Sequence, residues 1–326
     1  MVRCLDIVIV NWNAGKHLVD CLGSIAACKR TEFDLARVVV VDNASSDGSM
    51  ERLEEIALPL TIIRNRRNRG FAAACNQGAM GSRADYLLFL NPDMSLLPDS
   101  LVAPLRFMKS PESSSIGICG IQLVDKEGNI ECSCSRFPTC FTFLFRMLGL
   151  DRLFPKVFQW HFLEKSAHLQ SREVDVVTGA FMMLRRPLFE ALGGFDERFF
   201  VYLEELDLSL RAYEAGWKSY YLSTAQAYHE EEGCSRQAKD ARLFYVLRSR
   251  ILYGQKHFSL VAATILLIAI CVVEPLFRLA WAVWRGSIQE MRETLGAYAK
   301  LGRALPSLVH NLASSDRSPE IGSPLP

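Results

Sequence analysis

Several common signatures are missing from this chain of 326 residues. None of its 10 cysteines forms a CxxC pair. A zinc ribbon, a dithiol redox centre and a disulfide framework are therefore not expected, and the scattered thiols read as small, reduced hydrophobes. No GxGxxG follows the first apolar run and no GxxxxGK[ST] occurs, which disfavours a dinucleotide-binding dehydrogenase and a P-loop ATPase. Net charge is nearly absent: 37 Lys and Arg stand against 36 Asp and Glu, leaving +1. A chain without a strong field is a poor candidate for phosphate-backbone binding, so nucleic acid is not an expected partner. Internal repeats are absent, and compositional bias is confined to the Ser/Pro-rich tail, 313–326, expected to be disordered. The opening MVRCLDIVIVNWN lacks the long apolar core of a signal peptide, so the working part is expected on the cytoplasmic side.

Half of the residues are hydrophobic and 22% are charged, enough for one large domain or two ordinary ones. Leu5–Val10, Val38–Val41, Leu60–Ile63 and Tyr86–Leu90 are short apolar runs, the first two rich in β-branched residues. Such runs suit strands buried on both faces of a parallel sheet. Between them, Leu18, Cys21, Leu22 and Ile25 recur at helical spacing, and FAAACNQGAMG reads as a small-residue helix. Ser46 or Asp47 is expected to cap a further helix starting near Ser49. The alternation predicts an α/β fold: an open, mostly parallel sheet flanked by helices. Ligands in such sheets sit beyond the carboxyl ends of the strands. The polar clusters Asn11–Asn13, Asp42–Asp47, Asn65–Gly70 and Asn91–Asp93 all follow strands.

Later segments are less regular. Ile116–Val124 is an expected strand, and 125–173 an irregular excursion. A helix is expected from about Glu204 to Ala215 with Gly216 ending it. A short strand at Tyr220–Leu222 then leads to a polar loop, Ala225–Ser235, containing His229. Phe258–Val273 carries no charge; Glu274, Pro275 and Arg278 interrupt the apolar stretch before it resumes to Trp284. A membrane span needs roughly 20 apolar residues. An in-plane or re-entrant segment at a membrane surface is the expectation, a single transmembrane helix within 258–284 the alternative, and a buried helical hairpin the bland reading. The expected organisation is a sheet domain over 1–240, a membrane-associated helical region over 241–312, and the tail.

Four groups of residues carry candidate chemistry. Asp93 follows a purely apolar strand, where one carboxylate can hold a hard cation that bridges a diphosphate; the plainer alternative is a helix cap. Glu204, Glu205 and Asp207 open a helix, a position that favours acids through the helix dipole alone. Aromatic Phe199, Phe200 and Tyr202 precede them, and a carboxylate partly desolvated beside aromatics can act as a general base. His229 suits a metal site or a phosphate contact. Arg66, Arg67 and Arg69 form either a phosphate-binding loop or a solvated one. Gly70 in that loop permits a tight turn.

Taken in order, VIVNWNAGKHLVDCLGSI, VVVVDNASSDGS, NRGFAAACNQG, LFLNPDM, GGFDERFFVYLEELDLSLR and YHEEEGCS resemble the family 2 glycosyltransferases, in particular the rhamnosyltransferase-like branch of cell-surface polysaccharide assembly. The resemblance covers about Leu5 to Ser235. It implies the GT-A fold, a nucleotide-diphosphate sugar donor, a divalent cation (Mg or Mn) and inversion at the anomeric carbon. Matched residue by residue, Asn11 and Asn13 fall in the nucleotide-site loop after the first strand, and Asp42 at the acid that contacts base or ribose. Asn68, Gly70 and Asn76 fall in the donor-binding loop and helix. Asn91 replaces the first acid of the metal motif, leaving Asp93 as the ligand. Glu205 stands where the family has an aspartate base, with Glu204 as fallback. Asp207 and Arg211 complete that helix motif, and His229 matches a metal-ligating histidine of some members. Gly179 and the Gly193–Phe195 turn are expected to shape the donor and acceptor pocket. The resemblance further implies a lipid-linked or polysaccharide acceptor and a place on the cytoplasmic face of the inner membrane. A sugar-phosphate nucleotidyltransferase and an inactive nucleotide-sugar-binding module are the alternatives.

Overall fold

Strand direction organises the molecule. In the computed structural model, which describes residues 3–51, 53–154, 161–230 and 239–313, the first part of the chain alternates strands and helices. These are β1 (Arg3–Asn11), α1 (His17–Ala27), β2 (Phe33–Asp42), β3 (Leu60–Arg64), α2 (Phe71–Ala79), β4 (Tyr86–Leu90), β5 (Met94–Leu96), α3 (Val102–Lys109) and β6 (Ile116–Val124). There follow β7 (Cys134–Ser135), α4 (Cys140–Met147), α5 (Leu150–Leu153), β8 (Arg172–Val174), β9 (Val176–Val177), β10 (Phe181–Arg185), α6 (Arg186–Ala191), α7 (Glu204–Glu214) and β11 (Lys218–His229). The last helices are α8 (Lys239–His257), α9 (Leu260–Ile268), α10 (Glu274–Trp284) and α11 (Ile288–Ala313).

The main sheet has the order β3-β2-β1-β4-β10-β6-β11-β5, with β8 also on β11. Strands β3, β2, β1 and β4 pair in parallel. β10 enters antiparallel to both β4 and β6, and β11 runs parallel to β6. Six strands therefore point the same way, and β10 starts at the edge where they end. Alternate strand residues feed two apolar layers, as expected when side chains alternate between faces. Leu5, Ile7 and Ile9 pack with α1 and α3, whereas Val8 and Val10 pack with α2, α6 and α7. Burial on both faces is the reason β1 reads as an apolar run broken only by Asp6 between Leu5 and Val10.

Two compact units partition the chain. The sheet unit comprises Met1–Phe137, Phe162–Phe200 and Glu204–Cys234; the second comprises Pro138–His161, Val201–Leu203 and Ser235–Pro326. The second unit is helical. A continuous helix, Leu260–Trp284, contains an 18-residue stretch of mean hydropathy 2.6 and is long and apolar enough to cross a membrane. The turn Ala269–Val273 widens to a π-helix just before Pro275, which relieves the missing N–H and the ring clash of a proline inside a helix. Glu274 is buried and accepts from Arg278 Nε at 2.8 Å, with Arg250 Nη1 3.5 Å away. The interruption seen in the sequence is thus an internal ion cluster. Val261, Ile265, Ile268, Val272, Leu276, Phe277, Trp281 and Trp284 remain exposed.

Several expectations are corrected. Among the described residues no helix starts near Ser49: the segment after Asp42 turns at Gly48 (φ +79°) and forms a short 3-10 turn at Leu53–Glu55. Its Ser and Asp side chains are drawn back onto the end of β1 and the loop after it, where Asn11, Asn13 and Gly15 donate to them. The strand expected at Tyr220–Leu222 extends to His229, because β5 and the end of β6 supply ladder partners on both sides. Among the described residues of the irregular excursion, β7, α4, α5, a 3-10 turn at Lys165–Leu169 and the start of β8 form. The expected disordered tail lies, apart from Ala313, outside the described residues, as do residues 231–235 of the last motif.

Asp6 illustrates how the sheet tolerates a buried charge. It is 1% exposed, and its Oδ2 accepts from Arg37 Nε at 2.8 Å and from Ser82 Oγ at 2.7 Å. Removing one partner of a buried pair is costly, although Arg37 retains access to water. Asp6→Ala is expected to cost about 2 kcal/mol, measured as a lower urea midpoint with unchanged slope.

Candidate active site

The end of β1 is tied into the site by a cluster of side-chain hydrogen bonds. Asn11 is fully buried, and its amide donates to Asp42 Oδ1 (3.1 Å), Ser45 Oγ (2.9 Å) and Ser49 Oγ (2.9 Å). Asn13 adopts φ +52°, a region Asn tolerates better than most residues. Its Oδ1 accepts from Ser46 N at 2.8 Å. Asp42 also receives Ser45 N. Asn11, Asn13 and Asp42 thus lie together, tying the first two loops into one polar wall.

The next loop is held by Asn43, whose Nδ2 donates to Gly70 O at 3.1 Å. Asn68 Oδ1 accepts from Gly70 N at 2.8 Å. Gly70 has φ +88°, and a Cβ on it would lie 2.5 Å from Phe200 O. No other residue fits there. Phe71 N donates to the same Phe200 carbonyl at 2.6 Å. The loop that opens α2 is therefore pressed against the segment that leads into α7.

Asn76, Asp207 and Arg211 were expected among donor-binding residues; the structure commits their polar atoms to the Gly193–Phe195 turn instead. Asn76 donates to Phe195 O and accepts from Phe195 N, each at 2.8 Å. Asp207 is fully buried and accepts from Arg211 Nε at 2.9 Å, while Arg211 also donates to Leu192 O and Gly194 O. The physical reason is the turn itself. Gly193 and Gly194 have φ of +72° and +75°, which leaves carbonyls that need charged donors. Arg66, Arg67 and Arg69 are exposed.

Glu204 and Glu205 follow two non-glycine residues in the left-handed region, Tyr202 (φ +70°) and Leu203 (φ +67°). Such strain is often found at functional sites. Glu204 is buried, its Oε2 makes no hydrogen bond, and burial beside Glu205 holds it protonated well above the ordinary carboxylate range. Glu205 is half-buried and burial lifts it to about 7. Like charges this close do not both ionise readily, so the partly open carboxyl takes the charge. A Cβ on Gly179 would lie 3.9 Å from Glu205 Cβ, so the small residue leaves room beside this carboxyl.

Asp93 lies past the end of β4, before β5; no helix follows for it to cap. Its Oδ1 is buried without a hydrogen bond, and burial raises its carboxyl against the pull of His229 and His17. His229 Nε2 lies 3.6 Å from that oxygen, and its Nδ1 lies 2.8 Å from Glu131 Oε2. Glu131 was not singled out in the sequence; its only cue is the turn-forming KEGN that precedes it. Among the described residues no group of three or more His, Cys, Asp or Glu side chains converges as a metal set. Asp93 and His229 are two suitable ligands, and a hard cation commonly completes its shell with water and substrate phosphate. The orphaned oxygen and the adjacent imidazole fit that use.

Both acids sit at the same sheet edge. Asn91 N donates to Ala180 O at 2.9 Å, and Phe181 pairs with Leu90. Thus Asp93, two residues past Asn91, and Glu205, beside Gly179, flank the junction of β4 and β10. A separate cavity of about 470 Å³ between α2 and the Gly193–Gly194 turn reaches Leu87 and Arg186, toward the opposite edge, and includes neither acid. An acid whose pKa is raised by folding binds its proton more tightly folded than unfolded, so stability falls as pH rises above the ordinary carboxylate range. Glu204→Gln is accordingly expected to melt higher than the parent near pH 8 and to lose that advantage near pH 4, about the pKa of an unperturbed Glu, as read by thermal denaturation across pH.

A family model described as glycosyl transferase family 2 matches residues 6–193. The chain is 28% identical over 244 residues to the N-acetylglucosaminyl-diphospho-decaprenol L-rhamnosyltransferase of Mycobacterium tuberculosis, covering 71% of this chain and 77% of that one. Rhamnosyltransferase WbbL of Escherichia coli is 28% identical over 170 residues, 52% of this chain and 61% of its own. Among solved structures, the mannosyltransferase PcManGT from Pyrobaculum calidifontis, bound to GDP-Man and Mn2+, superposes with TM-score 0.53 at 16% identity, covering 96% of this chain and 86% of that one. TarS 1-349 from S. aureus, bound to UDP-GlcNAc, gives TM-score 0.54 at 17% identity, covering 96% and 84%. The shared fold is GT-A. The matched region spans more than half of the sequence, and the protein therefore belongs to glycosyl transferase family 2 and is a glycosyltransferase.

Proposed function

We propose that the enzyme moves a sugar, rhamnose in the reading its relatives favour, from a nucleotide-diphosphate donor to a lipid-linked or polysaccharide acceptor, in one displacement with inversion. The observation that carries this is the pairing of two differently tuned acids at one sheet edge, Asp93 beside His229 and Glu205 lifted to about 7 by burial. The names of the relatives support the sugar and the acceptor class: one rhamnosyltransferase is named for a decaprenol diphosphate carrier.

The geometry supports the following roles. Asn11, Asn13 and Asp42 line the first two loops, where the nucleotide is placed. Asn68 and Gly70 shape the loop that meets the diphosphate, and Asn91 forms the floor between β4 and β10. Asp93 and His229 would hold a divalent cation. When bound, it offsets the charge that grows on the departing diphosphate. Glu205 accepts the proton of the acceptor hydroxyl as that oxygen attacks the face of the sugar opposite the leaving group. A pKa near working pH serves a general base well, since the group is both deprotonated and still basic. Glu204, kept neutral beside it, ensures that charge collects on Glu205. Gly179 leaves the space in which the acceptor approaches.

A base must be unprotonated, so a raised pKa makes activity fall as pH drops. The kcat/KM is expected to rise through an apparent pKa near 7 and then level off. Glu205→Gln should lower kcat by at least about 100-fold and leave donor binding by calorimetry almost unchanged. The product to be quantified is nucleoside diphosphate; pyrophosphate instead would identify a nucleotidyl transfer, and undiminished turnover would place the base elsewhere.

We also propose that the second unit holds the enzyme on a membrane surface. The exposed apolar stripe of Leu260–Trp284, ending in Trp281 and Trp284, supports an in-plane seat, because interfacial helices bury one apolar face and Trp favours the headgroup region. Full-length protein is expected to float with liposomes, and Val272→Asp with Leu276→Asp to abolish flotation without lowering transfer to a soluble acceptor analogue.

A further inference from the structure

His229 is surrounded by three segments of the sheet unit. It ends β11, where Tyr228 pairs with Val124 of β6 and His229 itself pairs with Met94 of β5. Past Val124 the chain folds back in a tight hairpin. Gly128 has φ +80° and its N–H bonds to Asp125 O at 3.0 Å; Asn129 N donates to Asp125 Oδ1 at 2.7 Å. A bridge between Val124 and Ile130, and the bond from Glu131 N to Leu123 O, fix the returning arm. The side chain of Glu131 then reaches the imidazole, with Oε2 2.8 Å from Nδ1.

We propose that Glu131 is a positioning residue for the metal site. A neutral imidazole carries one N–H, and the nitrogen that bears it is set by the acceptor it meets. Glu131 accepts that hydrogen bond at Nδ1. The other nitrogen, Nε2, is thereby kept unprotonated on the side of Asp93, 3.6 Å from the Oδ1 that makes no hydrogen bond. A carboxylate behind a ligating histidine fixes the ring's orientation and raises its basicity as a ligand. Holding the hairpin is a separate task with its own contact. Lys126, on the same hairpin, pairs with Glu230 at 3.0 Å, and Glu230 in turn meets His17 at 3.3 Å. The hairpin thus keeps an ionic anchor when Glu131 is replaced.

The inference rests on the proposed pairing of Asp93 and His229 around a cation, and the test separates the two. Histidine-labelled full-length protein, metal-free and near pH 8.5, about two units above the ordinary imidazole pKa, is read by nitrogen NMR. His229 is expected in the Nδ1–H tautomer in the parent and in Glu131→Gln, whose amide oxygen still accepts, and to shift toward Nε2–H in Glu131→Ala. Mn2+ affinity without donor, followed by electron paramagnetic resonance of the free ion, is expected to fall about 10–100-fold in Glu131→Ala and to change far less in Glu131→Gln. An Nε2–H tautomer in the parent overturns the proposal whatever the variants do. Parent-like Mn2+ affinity in Glu131→Ala overturns it too, provided Asp93→Asn weakens binding. If Asp93→Asn binds Mn2+ like the parent, the cation site itself is wrong, while the tautomer result still decides what Glu131 does to the ring.

Discussion

The common direction of six strands is the constraint on which the site depends. Because β1, β2, β3, β4, β6 and β11 end at one edge, residues as distant in sequence as Asn11, Asp93, Glu131 and His229 share one neighbourhood. The reversed strand β10 completes the arrangement. It begins where the others stop, so the Gly179–Ala180 step lies at the same edge and brings α7 with it. The loops carry the chemistry, and the sheet supplies their relative placement.

Two kinds of carboxylate result from two kinds of burial. Asp93 loses water but gains a histidine opposite its bare oxygen, an environment suited to a cation. Glu204 and Glu205 lose water beside each other at a helix start. Mutual repulsion divides them into a neutral partner and a group that titrates near neutrality. Neighbouring acids pushed apart in this way mark acid–base function in many enzymes. Asp207, one turn away, has a charge partner in Arg211 and serves the turn.

Much of this was legible from residue order alone. Strands β4 and β6 fall where the apolar runs predict, since burial on both faces makes β4 wholly apolar and leaves Gln122 as the single polar side chain of β6. Gly70 and Gly216 were recognisable because both need positive φ. Local spacing is silent about pairing over long distances. The extension of β11 to His229 depends on ladder partners from β5 and β6, more than a hundred residues earlier, and the contact of Glu131 with His229 depends on that extension. The loop after Asp42 was misread as helical because Ser and Asp also cap helices; here β1 claims their side chains. Asn76 and Arg211 sit in family motifs, but only coordinates reveal that the GGF turn uses them.

The carbonyl of Phe200 receives Phe71 N and leaves no volume for a side chain at residue 70. One backbone oxygen therefore joins the loop assigned to the donor to the approach of the helix assigned to proton removal. Neither segment can drift through evolution by itself: an insertion that shifts one must be answered by a compensating change in the other, so new donor preferences should arise in paired substitutions on both sides of this contact.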